Sequence, residues 1–362
     1  MTHLTHHPTP DDPTEPTMTT TLPTTTAMSM STSTSTAVPR PAIDPELRAL
    51  LAELPPMPEL TAESLPLIRQ FAGGAGSPLP EGHHVEQREI TIPATDGTPL
   101  PLAILTPAGR DLDTRSPCVY WIHGGGMVMG DRYSNIDIPL EWLEQFGAVI
   151  VFVDYRLAPE AGGTTLVDDC YQGLLWTVQN AAGLGIDPAR IIVAGASAGG
   201  GLAAGVALMA RDRHFPTITA QMLIYPMLDH RNTTASSHQY TGQGVWSREM
   251  NQFGWQSVLG DLTADVPAYV SPATAEDLSG LPTTYIDAGT AEVFRDEDTG
   301  YALRIWAAGG QAELHIWAGG FHGFDALYPH ALVSTAARRA RRDWLTRVLT
   351  PQRAPETATQ TT

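Results

Sequence analysis

The sequence predicts an α/β fold built on a mostly parallel sheet with helices on both faces. Short apolar, β-branched runs recur along the chain, and segments of helical period separate them. At one strand-to-helix junction the chain reads Gly195-Ala196-Ser197-Ala198-Gly199, a turn that only small residues tolerate.

The elements follow in order. Ile43 to Gln70 carries Leu47, Leu50, Leu51, Leu54, Leu60, Leu65 and Ile68 at helical spacing, and Pro55, Pro56 and Pro58 divide it into two short helices. Gly73-Gly74-Ala75-Gly76 ends that segment. Val85 to Pro93 and Leu100 to Thr106 flank Asp96-Gly97, which predicts a hairpin and an antiparallel edge. Strands are then expected at Cys118–Ile122, Ala148–Asp154, Arg190–Ala194, Ala220–Tyr225, Thr283–Ala288 and Glu313–Trp317, giving eight in all. Helices are expected at Asn135–Phe146, Leu166–Asn180, Gly201–Ala210, Asp296–Ala308 and Ala331–Leu349. Such alternation implies right-handed crossovers. Leu228 to Tyr269 is too long for a simple connection. Its Trp246, Met250, Phe253, Trp255 and Leu259 read as one apolar helical face, and the segment is expected to pack with the N-terminal helices as a lid.

Composition bounds the function. The formal net charge of -18 disfavours nucleic acid and anionic membranes as partners. Cys118 and Cys170 read as small buried residues, which suits a reducing cytoplasm. Residues 1–41 are rich in Thr, Ser and Pro and are expected to be a disordered tail, lacking the pattern of a signal peptide. His3, His6 and His7 within it read as solvated residues with at most weak metal affinity. Residues 42–350 are expected to form one domain, its cap drawn from about 42–80 and 228–269, with 351–362 a loose tail. No metal or organic cofactor is implied.

A serine hydroxyl needs a base in contact and a carboxylate to orient that base. Ser197, at a strand-to-helix elbow, faces outward at a helix N-terminus where developing negative charge is favoured. His322, in Gly320-Phe321-His322-Gly323-Phe324 after the last strand, is the expected base. His315 lies within a strand, His230 and His238 in the lid, and His83 and His84 before the hairpin. The acid must follow the strand Thr283–Ala288. Of Asp287, Glu292, Asp296, Glu297 and Asp298, Glu292 is favoured because it falls in the loop between strand and helix. Asp296 is the alternative, although a first-turn acid is also explained by the helix dipole. His123-Gly124-Gly125-Gly126 ends another strand, and its amides together with that of Ala198 are the expected oxyanion donors. Gly195 and Gly199 permit the elbow. Met127 and Met129 either line the acyl pocket or pack in the core.

These segments, with Asp154-Tyr155-Arg156-Leu157-Ala158-Pro159-Glu160, resemble the motifs of the hormone-sensitive-lipase-like family of bacterial esterases. The resemblance spans roughly Val85 to Leu349. It implies an α/β-hydrolase fold with a mostly parallel eight-stranded sheet and a helical cap. It implies Ser197 as nucleophile, His322 as base, Glu292 as acid, and Gly125, Gly126 and Ala198 as oxyanion donors, with His123 and Tyr155–Glu160 as supports. The implied activity is hydrolysis of short- to medium-chain acyl esters, and the implied assembly a homodimer through the sheet edge and last helix. An amidase, lactonase or deacetylase using the same triad is the alternative, and a non-catalytic ligand-binding protein a further one. The chain departs from the family pattern at two places. Ala196 stands where Asp is common, and Ala161-Gly162-Gly163-Thr164-Thr165 replaces His-Pro-Phe-Pro-Ala.

Overall fold

The computed structural model describes residues 38–54, 58–72, 84–110, 114–262 and 264–350. The expected tails therefore lie outside the described residues apart from 38–41, as do Pro55, Pro56, His83 and the Gly73–Gly76 run.

Two helices come first, α1 (Pro45–Leu51) and α2 (Leu65–Ala72). Asp44 caps α1 by accepting the Glu46 and Leu47 amides, and Pro45 occupies a first-turn position where no N–H is needed. A hairpin follows, β1 (Val85–Pro93) and β2 (Pro99–Pro107), its turn held by Asp96 Oδ1 accepting the Thr98 amide at 3.0 Å. The alternating part then runs β3 (Ser116–Ile122), α3 (Asp137–Phe146), β4 (Val149–Val153), α4 (Thr165–Gln179), β5 (Ile186–Ala196), α5 (Ala198–Asp212) and β6 (Ala220–Ile224). After an inserted stretch containing α6 (Ala235–Gln239) and α7 (Arg248–Leu259) come β7 (Thr283–Ala291), α8 (Arg295–Ala307), β8 (Ala312–Phe321), the single turn α9 (Phe324–Leu327) and α10 (Leu332–Leu349).

The eight strands form one sheet in the order β1-β2-β4-β3-β5-β6-β7-β8. Only the pairings of β2 with β1 and β4 are antiparallel. Alternate residues of a strand face opposite layers, and the two cores divide accordingly. Cys118, Tyr120, Ile122, Val149, Val151 and Val153 pack towards α4 and α5. Val119, Trp121, Ile150 and Phe152 pack towards α3 and α10, where Trp142, Trp344 and Leu345 meet them. Burial on both faces is why these strands read as continuous apolar runs.

Five strands are longer than the apolar pattern indicated, β2 and β3 by two residues each and β5, β7 and β8 by three or more. β5 starts at Ile186 because Ser116 pairs with Ile186 before the register shifts and resumes at Cys118 and Ile191. β7 continues to Ala291, and β8 runs through Gly319 and Gly320 to Phe321. Glycines carry no side-chain signal, so that end of β8 could not be read from hydrophobicity. The inserted segment meets residues 39–41, through Gln239 Nε2 to the Pro39 carbonyl at 2.8 Å and the Arg40 guanidinium over the Tyr240 ring. α1 packs chiefly elsewhere. Leu47 is buried with Phe321, Phe324, Ala331 and Ala337, and Val245 of the insertion lies at the border of that cluster. α1 thus braces the loop beyond β8.

Candidate active site

The β5–α5 junction bends sharply at Ser197, which has φ 58° and ψ -123°. This is a positive-φ conformation unusual for a residue with a side chain. Surrounding bonds fix it. The Ser197 amide donates to the Ile224 carbonyl at 2.8 Å, and the Ser197 carbonyl accepts the Met227 amide at 3.0 Å. Gly199 is required by close approach, since a Cβ there would lie 2.0 Å from the Ile122 carbonyl oxygen. Ala198 opens α5, so its N–H has no partner within the helix.

His322 follows directly on β8 and brings Nε2 within 2.9 Å of Ser197 Oγ. Its Nδ1 lies 2.7 Å from Glu292 Oε2. In the tautomer with its proton on Nδ1, the ring donates to the carboxylate and offers the Nε2 lone pair to the hydroxyl. Glu292 is the residue after β7, and its side chain is fully buried. Its Oε1 accepts the Gly289 amide at 2.6 Å, which anchors the carboxylate to its own strand. Three aromatic rings confine the imidazole: Tyr225 and Phe294 edge-on, each with a centroid separation of 5.0 Å, and Trp246 tilted at 6.4 Å.

Three of the other acid candidates are engaged elsewhere. Asp287 lies within β7, bound to Arg341 at 2.8 Å. Asp296 accepts the Ser236 amide at 2.7 Å and pairs with Arg295. Glu297 Oε1 accepts the Leu228 amide at 2.7 Å and the Asp229 amide at 3.1 Å. Asp298 is buried with neither carboxylate oxygen hydrogen-bonded. Among the other histidines, His315 pairs with Glu313 and His230 contacts Ser271.

The His123–Gly126 loop packs against the elbow, where Gly124 abuts the Ala196 carbonyl and the Ser197 Cβ. His123 is buried, stacks on Tyr155 at 4.2 Å and directs Nδ1 to the Gly124 carbonyl at 2.7 Å. Burial holds its pKa below the ordinary value, so it stays neutral. The Tyr155 hydroxyl donates to the His123 carbonyl at 2.9 Å. The Gly125 carbonyl accepts the Val128 and Met129 amides, and the Gly125 and Gly126 amides donate to no acceptor among the described residues. Gly126 has φ 62°, and a Cβ there would sit 2.3 Å from Trp246 Cη2. Met127 is buried in the core and Met129 packs behind Gly125. The Tyr155–Glu160 segment is tied down by Arg156 to Asp169 at 2.7 Å and by Glu160 to Arg69 of α2 at 2.6 Å.

Sequence reasoning missed the aromatic enclosure. Trp246 precedes α7 and lies over the glycine loop instead of on the helical face expected for it. It also missed Arg341, because an arginine in an amphipathic helix reads as solvent-facing. Among the described residues no group of three or more metal-ligating side chains exists, and no helix is long and apolar enough to cross a membrane.

Comparisons with known proteins extend this picture. Residues 119–326 match the alpha/beta hydrolase fold family. The carboxylesterase NlhH of Mycobacterium tuberculosis is 33% identical over 312 residues, covering 84% of this chain and 94% of that protein. The solved structure of a bacterial heroin esterase has a TM-score of 0.79 at 36% identity, covering 85% of this chain and 98% of that one. Esterase LipW from Mycobacterium marinum has a TM-score of 0.76 at 32% identity, covering 87% and 99%. The sheet order, the family match and relatives aligned over nearly their whole length converge: this chain belongs to the α/β-hydrolase fold family, in its hormone-sensitive-lipase-like branch.

Proposed function

We propose that this protein is a serine carboxylesterase acting on small-molecule esters of short to medium acyl chain. The observation that carries the proposal is the unbroken relay of hydrogen-bonding contacts from Ser197 Oγ to His322 and on to Glu292, at 2.9 and 2.7 Å. Ser197 attacks the ester carbonyl while His322 Nε2 takes its proton. Glu292 holds the resulting imidazolium. The oxyanion of the tetrahedral intermediate accepts from the amides of Gly125, Gly126 and Ala198. His322 then protonates the departing alcohol, and water, activated by the same imidazole, cleaves the acyl-enzyme. The esterases and carboxylesterases among its relatives support an ester over an amide or lactone substrate. Trp246 over Gly126 supports a short acyl chain, because it limits the space beside the oxyanion donors.

A cytoplasmic location belongs to the same reading, supported by two unpaired, buried cysteines. So does a homodimer through β8 at the sheet edge and the last helix, α10. Light scattering giving a monomer mass would remove the dimer.

The direct test is hydrolysis of p-nitrophenyl esters from acetate to laurate by the wild type and Ser197→Ala. The proposal expects activity highest on the shorter chains and a fall of at least about 1,000-fold in the variant. Ester hydrolysis persisting in pure Ser197→Ala would refute the mechanism.

A further inference from the structure

Arg341 lies in the middle of α10, remote in sequence from the relay, yet its side chain is 1% exposed. Burying a guanidinium is costly unless its charge is met and its donors are used. Its Nε donates to Asp287 Oδ2 at 2.8 Å and its Nη2 to Asp287 Oδ1 at 3.1 Å, a two-pronged grip on β7. Its Nη1 donates to Asp325 Oδ2. Both carboxylates are fully buried.

The positions of these two partners give the fork its meaning. Asp287 is on β7, the strand that Glu292 directly follows. Asp325 is in α9, three residues after His322. One rigid guanidinium therefore spans the element carrying the acid and the turn carrying the base. Further contacts stiffen both ends. The Trp317 and Tyr285 side chains donate to Asp287 Oδ2 at 3.2 and 3.3 Å, and Arg338 donates to the Asp325 carbonyl at 2.8 Å. Arg341 also lies over the Tyr225 ring, which packs edge-on against His322. The Tyr225 amide donates to the Asp287 carbonyl at 2.6 Å.

We infer that Arg341, through Asp287 and Asp325, is a positioning residue that fixes the separation of His322 from Glu292. It touches neither substrate nor the reacting atoms. A hydrophobic trio of the same volume would hold α10 on the sheet equally well, but it would not tie the acid's strand to the base's turn with directional bonds. The inference rests on the roles proposed above for His322 and Glu292.

The test measures kcat and KM on p-nitrophenyl acetate, with active serines counted by the p-nitrophenol burst from diethyl p-nitrophenyl phosphate. Asp325→Ala cuts the link to the His322 turn while leaving Arg341 bound to Asp287. It is expected to lower kcat per counted serine about 10- to 100-fold with KM within about twofold, because misplacement of a reacting group costs rate, not affinity. Asp325→Asn, which keeps an acceptor of the same shape, is expected to recover part of that loss. The uncharged triple variant Asp287→Asn, Asp325→Asn, Arg341→Met leaves no buried charge unpaired, so it folds even where a single change would not. It is expected to show the same loss per serine. If Asp325→Ala and the triple variant keep kcat per serine within twofold of wild type, and only the number of active serines falls, the trio is merely structural and the inference is overturned. The underlying esterase reading fails separately, and earlier, if Ser197→Ala retains activity or the wild type has none.

Discussion

Glu292 grips His322 with one carboxylate oxygen and its own strand with the other: Oε2 lies 2.7 Å from Nδ1, and Oε1 accepts the Gly289 amide at 2.6 Å. The carboxylate is held from both sides before any substrate arrives. A glutamate reaches His322 from the first position after β7, and a shorter acid at that position would have to give up one of the two contacts.

That geometry separates two substitutions. Glu292→Gln keeps the length but presents an amide and removes the charge opposite the imidazolium. Its kcat on p-nitrophenyl acetate is expected to fall roughly 1,000- to 10,000-fold. Glu292→Asp keeps the charge and loses one methylene, for an expected loss nearer 10- to 100-fold. A glutamine variant faster than the aspartate variant would mean that orientation, and not charge, is what Glu292 supplies.

Trp246 closes the space beside Gly126, where a Cβ would lie 2.3 Å from its Cη2. Trp246→Ala is expected to shift the preferred p-nitrophenyl ester towards longer acyl chains, with kcat/KM on the octanoate rising relative to the acetate by about 10-fold, the scale of a few newly accommodated methylenes. An unchanged chain-length profile would place the acyl group on another side of the serine.

The elbow is as constrained by packing as by chemistry. A methyl on Gly199 would sit 2.0 Å from the Ile122 carbonyl oxygen and 2.4 Å from that of His123, both backbone atoms of the strand end that leads into the glycine loop. Gly199→Ala is therefore expected to cost more than about 3 kcal/mol in urea unfolding, or to prevent folding altogether. A well-folded variant of wild-type stability would show that β3 and α5 can separate without loss.

The parts of this arrangement that were legible in the sequence are those encoded locally. The strands of the central sheet are apolar on both faces, so hydrophobicity alone marked them. The elbow and the His123–Gly126 run announce themselves because backbone close approach demands glycine. Glu292 could be favoured over Asp296 by its place between strand and helix and by the family resemblance. The remainder is set by tertiary contact. Trp246 lies over Gly126 because of how the inserted segment folds back, and its spacing suggested a helix face instead. Asp287, Arg341 and Asp325 are scattered over three elements, and nothing local distinguishes a buried ion trio from ordinary charged residues.

Asp298 offers a prediction of the opposite sign to most carboxylates. It is fully buried in α8 and neither of its oxygens has a hydrogen-bond partner. Burial, with the nearby charges of Glu297, Glu292 and Asp287, pushes its pKa well above the ordinary value. In the unfolded chain the same group ionises near pH 4. Below that pH both states are protonated and the group is neutral towards folding. Above it the unfolded state sheds the proton and the folded state keeps it, so stability falls as pH rises until the folded pKa is reached. Asp298→Asn has nearly the same shape and no proton to lose. Its stability relative to wild type is expected to increase with pH by up to about 1.4 kcal/mol per unit. Urea denaturation at pH 5 and pH 7 would therefore show the variant gaining stability on the wild type between the two. A difference that stays constant with pH would mean that Asp298 is ionised in the folded protein and that its charge is met there.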